Sequence, residues 1–244
     1  MILRYGAEVL MPTNITQALR KVRAASYDKG AFDELLKARP RECKDVIRVC
    51  EDLDQPERVR IAACRVLGEM KAGRSVSTLV KILATDSTNL AWAATLALES
   101  IATKTAVPSL IKIASSQPLS SARQNAIHAL GCLGDARAAI VLRDILQDPN
   151  DSEAVRVEAA EAVKLLLYSG VRLRGVVPAL IRALSDTSPL IRWSSAAALA
   201  HCADRRAVPA LKKLLNDKAT PGGLDSVCDQ AESALIVLTS GRKG

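Results

Sequence analysis

Residues 177–200 read VPALIRALSDTSPLIRWSSAAALA and predict two short helices joined by a tight turn. Pro178 suits the first turn of a helix, where its missing N–H needs no partner. Asp186 and Pro189 mark the turn between the helices. The second helix places apolar or small residues along one side at helical spacing: Ile191, Ser195, Ala198, Leu199 and Cys202. The stretch therefore predicts a helical hairpin with one buried face.

Variants of this hairpin recur along most of the chain. An anchor residue marks each second helix, every 31 to 36 residues, at Leu67, Leu98, Leu130, Val163, Leu199 and Leu235. A small residue lies four positions before each anchor: Ala63, Ala94, Ala126, Ala159, Ser195 and Ala231. A period in this range is typical of helical solenoids, whose units must stack to bury their apolar faces. The sequence predicts an all-α fold, a right-handed α–α superhelix of about six helical hairpins.

The repeat pattern divides the chain into two parts. Residues 41–244 are predicted to form one continuous solenoid. Residues 1–40 do not fit the repeat and predict N-terminal cap helices, one of which begins near Asn14. Met11 is an alternative translation start, which the sequence leaves open.

Three residues of the quoted hairpin match a known repeat. Pro178 lies in its first helix, Asp186 in the turn, and Arg192 in the second helix. Other hairpins keep parts of this pattern: Pro209 with Asp217, Asp54 with Arg60, and the arginines Arg123 and Arg156. The pattern resembles the HEAT-repeat family, especially the short bacterial form also seen in phycobilisome lyases. The resemblance covers roughly residues 41–240 and implies a HEAT/armadillo-like solenoid, but it says little about function.

Composition limits the location and the partners. The chain has 244 residues, of which 49% are hydrophobic and only 2% aromatic. A net charge of +8 indicates either an acidic partner or solubility alone. No apolar run is long enough to span a bilayer, and the first residues lack a signal peptide, so no membrane association is expected. Six cysteines without a CxxC pair favour a reducing, cytoplasmic setting.

The position six residues before each anchor points about 180° away from the buried stripe. Both tryptophans of the chain, Trp92 and Trp193, occupy it. The resemblance implies that second helices line a concave groove, which places the two indoles about 30 Å apart. Exposed tryptophan beside leucine and arginine is typical of an interface hot spot. The predicted partner-binding residues are Ile61, Arg65, Trp92, Leu96, Gln124, His128, Val157 and Trp193. Alternatively, each tryptophan lies flat across the neighbouring repeat and covers its core.

Two sets of arginines are candidate anion sites. The first set occupies the position seven residues before an anchor and consists of Arg60, Arg123, Arg156 and Arg192. Pairing with turn aspartates and free helix carbonyls explains this set better than phosphate binding does. The loops between hairpins predict a basic edge for an anionic partner, containing Arg172, Arg174, Arg205 and Arg206. The alternative is that this edge is only solvated.

Catalysis has little support in the sequence. No HExxH, P-loop or GxSxG motif is present, so neither a metal nor another cofactor is expected. HEAT-repeat deoxyhypusine hydroxylases bind iron through His-Glu pairs, but neither His128 nor His201 is followed by glutamate. The sequence favours a non-enzymatic scaffold or adaptor that binds a partner protein in its concave groove.

Two alternatives to the scaffold rest on family resemblance. One is a phycobilin lyase-like chaperone acting on a phycobiliprotein. The other is a nucleic-acid-binding protein of the alkylpurine glycosylase type, which needs a carboxylate beside aromatic residues. Asp229 is the only acid in the tryptophan register, and it lies near the C-terminal end.

Overall fold

The computed structural model describes residues 43–85, 87–116, 121–171, 173 and 175–240. Within these residues the chain forms six helical hairpins, which we number as repeats 1 to 6. The helices, paired in this order, are α1 (Cys43–Glu51) with α2 (Glu57–Glu69), α3 (Val76–Leu83) with α4 (Thr88–Ile101), α5 (Val107–Ala114) with α6 (Ser121–Cys132), α7 (Ala139–Gln147) with α8 (Glu153–Tyr168), α9 (Val177–Ala183) with α10 (Pro189–Ala200), and α11 (Val208–Lys213) with α12 (Val227–Thr239). The predicted cap helices of residues 1–40, and Met11 with them, lie outside the described residues.

Local signals set the ends of these helices. The backbone N–H of Leu90 donates to Ser87 Oγ at the start of α4, and serines cap α8, α10 and α12 in the same way. Proline occupies the first turn of α5, α9 and α11, as Pro178 predicts for α9. The quoted stretch therefore folds as the predicted hairpin, with α9 leading into α10.

The hairpins stack in two layers around one elongated core. Each second helix packs on its own first helix and on the second helices of the neighbouring repeats. The six small residues that precede the anchors are completely buried, since none has any exposed surface. Small side chains let neighbouring backbones approach closely, and the absence of bulky aromatic residues from this core follows from the same spacing. The structure confirms the predicted all-α repeat solenoid.

The arginines seven residues before the anchors link consecutive repeats in the C-terminal half. Arg123 pairs with Asp151, Arg156 with Asp186, and Arg192 with Asp217. In each pair the aspartate belongs to the turn of the following repeat, so a correctly spaced aspartate within the same hairpin is not needed. Three of the arginines also donate from Nε to a first-helix carbonyl, in the pairs Arg60 to Cys50, Arg123 to Ala114, and Arg156 to Leu146. The structural explanation of this arginine series is therefore the better one.

Two hydroxyl–carboxylate hydrogen bonds join repeats 1 and 2. Thr78 Oγ1 donates to Glu51 at 2.7 Å, and Ser87 Oγ donates to Glu57 at 2.9 Å. Repeat 2 has Ala91 at the arginine position, and Ala91 is completely buried. Among the described residues, arginine–aspartate pairs between repeats begin only at Arg123.

Candidate functional site

Three positions of each second helix share one face of the solenoid. They lie six residues before the anchor, two before it and two after it, so each is about one helical turn from the next. We call the surface that they form the second-helix face. In α4 these positions are Trp92, Leu96 and Ser100, and in α6 they are Gln124, His128 and Cys132.

Trp92 and Leu96 are two large apolar side chains that are exposed next to each other on this face. The exposed fractions are 43% for Trp92 and 37% for Leu96, although half of the residues of α4 are buried. Burying apolar surface of this kind stabilises a complex, and tryptophan is enriched among hot-spot residues. The two side chains therefore form an exposed apolar patch in the middle of the predicted binding surface.

His128 connects Trp92 to the next repeat. The ring centroids of Trp92 and His128 are 5.2 Å apart, with an interplanar angle of 50°. His128 Nδ1 lies 3.0 Å from Glu158 Oε1, and both side chains are about 30% exposed. The contact series thus crosses three consecutive second helices, from α4 through α6 to α8. We call Trp92, Leu96, His128 and Glu158 the central patch.

The central patch carries a positively charged imidazole. The pKa of His128 is raised to about 10, because its ring is hydrogen-bonded to the Cys132 side chain and to Glu158, and these bonds outweigh the opposing effect of burial. At neutral pH an imidazolium therefore lies beside the Trp92 ring, within the range of a cation–π contact. This contact holds the indole in place on the surface.

The raised pKa of His128 makes stability depend on pH. Its value is 6.5 in an unfolded chain and about 10 in the folded protein, so the folded state binds the proton more tightly. This stabilisation is fully present below pH 6.5 and is lost as the pH rises to about 10. We expect the free energy of unfolding to fall across this window by more in the wild type than in His128→Gln. Chemical denaturation at several pH values measures this fall. The same dependence of the free energy of unfolding on pH in both proteins would contradict the prediction.

Trp193 differs from Trp92 although both occupy the same position in their repeats. Its side chain is only partly exposed and packs against the core. Its Nε1 atom is buried and has no hydrogen-bond partner in the described part of the chain. Trp193 is therefore closer to the alternative in which the indole covers core residues, and its contact with a partner stays a prediction. Of the two tryptophans, Trp92 is the one classed as exposed, at 43%.

The remaining predicted groove residues are of two kinds. Ile61 and Val157 are partly buried and pack on the core, and Gln124 is also partly buried. Arg65 is exposed one repeat before Leu96. Arg65 is therefore placed to add a positive charge beside the apolar part of the central patch.

Sequence reasoning missed Glu158 and Cys132. Glu158 lies five residues before its anchor, outside the register used to select groove residues, and it is the partner of His128. Cys132 lies one turn after His128 on the same face, and it contributes to the raised pKa of His128. The spacing of four between His128 and Cys132 is visible in the sequence and indicates a shared helix face.

The predicted basic edge is only partly described. Arg172 and Arg174 lie outside the described residues. Arg205 is exposed, and Arg206 pairs with Asp204 at 2.6 Å. Arg137, in the corresponding loop of an earlier repeat, pairs with Asp135 and lowers the pKa of that carboxyl to about 2. At least some arginines of this edge therefore form ion pairs within their own loops.

Two further kinds of feature are absent from the described residues. No group of three or more histidine, cysteine or acidic side chains in them could hold a metal ion. None of the described helices combines the length and apolarity needed to cross a membrane.

Comparisons with known proteins agree on a repeat family. The family model for HEAT repeats matches residues 44–123, 77–164 and 150–222, so the matches together extend over residues 44–222. No curated protein matches the chain.

Two solved structures show the same repeat fold. The complex of CpcE and CpcF of phycocyanin lyase from Nostoc sp. PCC7120 is similar with a TM-score of 0.56 and 21% identity, covering 66% of this chain and 98% of that chain. A designed armadillo repeat protein in complex with the peptide (KR)4 has a TM-score of 0.53 and 21% identity, covering 81% of this chain and 99% of that chain. At these identities the likeness concerns the fold alone.

Proposed function

Because the chain belongs to the HEAT-repeat family, we propose that it is a non-enzymatic scaffold that binds a partner protein on its second-helix face. The observation that supports this most is the 43% exposure of Trp92 beside Leu96 and the charged His128. A large exposed indole held in place by its neighbours loses little conformational entropy on binding, which favours its use as an anchor.

The charge of the chain favours an acidic partner. The designed armadillo protein was solved with a basic peptide, (KR)4, whereas this chain carries a net charge of +8. Arg65 and the imidazolium of His128 add positive charge around the apolar part of the central patch. Opposite charge on a partner speeds association and selects against basic competitors. We therefore propose a partner segment that presents apolar side chains flanked by acidic ones.

A binding measurement with two alanine variants of exposed apolar residues tests this proposal. Partners are first captured from source lysate after nuclease treatment, and the Kd of the purified partner is then measured. We expect Trp92→Ala to weaken binding at least tenfold, about 1.4 kcal/mol, because it removes the exposed anchor. Leu53→Ala is the matched control, since Leu53 is 79% exposed but lies in the turn between α1 and α2, outside the second-helix face.

Two outcomes would contradict the proposal. One is a Trp92→Ala variant that binds the partner as tightly as the wild type does. The other is bound material that disappears with nuclease, which would favour a nucleic-acid partner. Thermal unfolding of both variants checks that each retains the fold, which we expect because both side chains are exposed.

A further inference from the structure

One position of each second helix points directly at the second helix of the following repeat. It lies one residue after the anchor. A Cβ atom placed there at Gly131 would lie 2.7 Å from the Cα of Ala162 in the next second helix. One placed at Gly68 would lie 3.0 Å from the Cα of Ala97. In α12 this position holds Ile236, which is 59% exposed, and no helix follows α12 within the described residues.

Two further apolar positions of repeat 6 are exposed although their counterparts are buried. The first helices of repeats 2 to 6 each contain a completely buried leucine: Leu79, Leu110, Leu142, Leu180 and Leu211. The residue four positions later is buried in repeats 2 to 5, at Leu83, Ala114, Leu146 and Leu184. Its counterpart in repeat 6, Leu215, is 40% exposed. Leu235 is likewise the one second-helix anchor that is partly exposed.

Charged residues occupy two other positions at this end of the solenoid. Three residues before the second-helix anchor, repeats 1 to 5 have side chains without exposed surface: Cys64, Thr95, Ile127, Ala160 and Ala196. Repeat 6 has the exposed Glu232 there. One residue after the buried first-helix leucine, Val80, Ile111 and Ile181 pack on the core, whereas Lys212 is exposed. In the described part of the chain, neither Lys212 nor Glu232 forms an ion pair.

We propose that these residues bind the same residues of a second copy of this chain, which gives a two-fold symmetric dimer. We call Lys212, Leu215, Glu232, Leu235 and Ile236 the end face. The terminal repeats of solenoids normally carry a polar outer surface, so exposed leucine and isoleucine here are unusual. Apolar side chains bordered by charges are typical of a protein interface. Because the end face has one charge of each sign, it can complement itself.

The two charges define how the copies face each other. Lys212 lies in the last turn of α11 and Glu232 in the first half of α12, so both lie toward the turn end of the hairpin. A two-fold axis that places α11 of one copy on α12 of the other sets Lys212 opposite the partner's Glu232. By symmetry the same ion pair forms twice, and Leu235 and Ile236 are buried in the same contact. Such an interface closes at two copies.

Sedimentation equilibrium of the full chain tests the dimer. We expect a mass of twice 26.0 kDa at high protein concentration, which falls toward 26.0 kDa on dilution. Ile236→Glu should weaken dimerisation by about tenfold or more, because it buries an unpaired charge in the contact. Ile140→Glu is the matched control, since Ile140 is 64% exposed on α7 and outside the end face. The control should keep the wild-type dimer Kd.

Exchanged charges test the two-fold arrangement. Lys212→Glu and Glu232→Lys each place like charges opposite one another, so each variant alone should dimerise about tenfold more weakly. When the two variants are mixed, every facing pair again has opposite charges, and we expect a mixed dimer of wild-type affinity. The double variant Lys212→Glu/Glu232→Lys should also recover the wild-type Kd. Thermal unfolding checks the fold of each variant, which we expect to be retained because these side chains are exposed.

Four results would overturn the proposal. The first is a wild-type chain that stays at 26.0 kDa at every concentration, as it would if another segment of the same chain covered the end face. The second is a series of assemblies larger than two copies, which indicates head-to-tail stacking. The third is an Ile236→Glu variant that dimerises as the wild type does. The fourth is a mixture of the two charge variants that stays monomeric, and this result decides even if Ile236→Glu fails to fold.

The dimer and the proposed partner binding are tested separately. The end face belongs to repeat 6, whereas the central patch belongs to repeats 2 to 4. Trp92→Ala should therefore leave the dimer Kd unchanged. A dimer that Trp92→Ala dissociates would place the contact between copies on the central patch and would overturn the assignment to the end face.

Discussion

Arg123→Ala is expected to lower the free energy of unfolding by about 3–5 kcal/mol, because it leaves a buried charge without its partner. Arg123 is only 2% exposed, and its guanidinium forms a bidentate ion pair with Asp151, which is also buried. Its Nε also donates to the carbonyl of Ala114 at 2.8 Å. Alanine removes all these bonds at once. Chemical denaturation of the variant and the wild type measures the loss.

Two comparisons show whether the unpaired charge is the cause. Arg192→Ala removes an equivalent but more accessible pair with Asp217, so the expected loss is smaller, about 1–2 kcal/mol. The double variant Arg123→Met/Asp151→Leu removes both charges and should recover most of the loss. Equal losses for Arg123→Ala and Arg192→Ala would show that burial of the pair does not matter.

Gly131→Ala is expected to destabilise the protein by about 2–3 kcal/mol, because α6 and α8 are too close for a methyl group there. A Cβ atom at Gly131 would lie 2.7 Å from the Cα of Ala162 and 3.0 Å from its carbonyl oxygen. These are backbone atoms, so the two helices must separate to admit the methyl group. The gain in helix propensity, about 1 kcal/mol for glycine to alanine, is too small to compensate.

Gly73→Ala is the matched control for this prediction. No atom lies within 4 Å of a Cβ placed at Gly73, in the loop before α3. The same substitution should therefore leave stability unchanged or raise it by about 0.5 kcal/mol. Thermal unfolding compares the two variants, and a Gly131→Ala protein as stable as Gly73→Ala would show that α6 and α8 can move apart at little cost.

The repeat pattern was sufficient to predict the layers of the fold. Period and anchor positions identify which face of each helix is buried, and five of the six anchors are fully buried, whereas Leu235 is partly exposed. That exception lies in α12, the final helix among the described residues, which has a second-helix neighbour on one side only. The period alone does not indicate this difference between Leu235 and the other anchors.

Contacts between repeats were beyond sequence reasoning. Arg123 pairs with Asp151 in the turn of the next repeat, 28 residues away. The spacing within one hairpin does not indicate this pair. The two tryptophans make the same point, since periodicity gives the direction in which a side chain leaves its helix. Whether the side chain then lies on the core, as Trp193 does, or stays exposed, as Trp92 does, depends on neighbouring residues that no period encodes.

The arginine–aspartate pairs between repeats are unevenly distributed over the described residues. From Arg123 onward, each junction between consecutive repeats contains an arginine–aspartate ion pair. Among the described residues, the junction between repeats 2 and 3 contains no such pair, because repeat 2 has Ala91 at the arginine position. Trp92 belongs to repeat 2 and His128 to repeat 3, so the contact between their rings crosses this junction. A partner that binds the central patch would therefore add a link between two repeats that no arginine–aspartate pair joins.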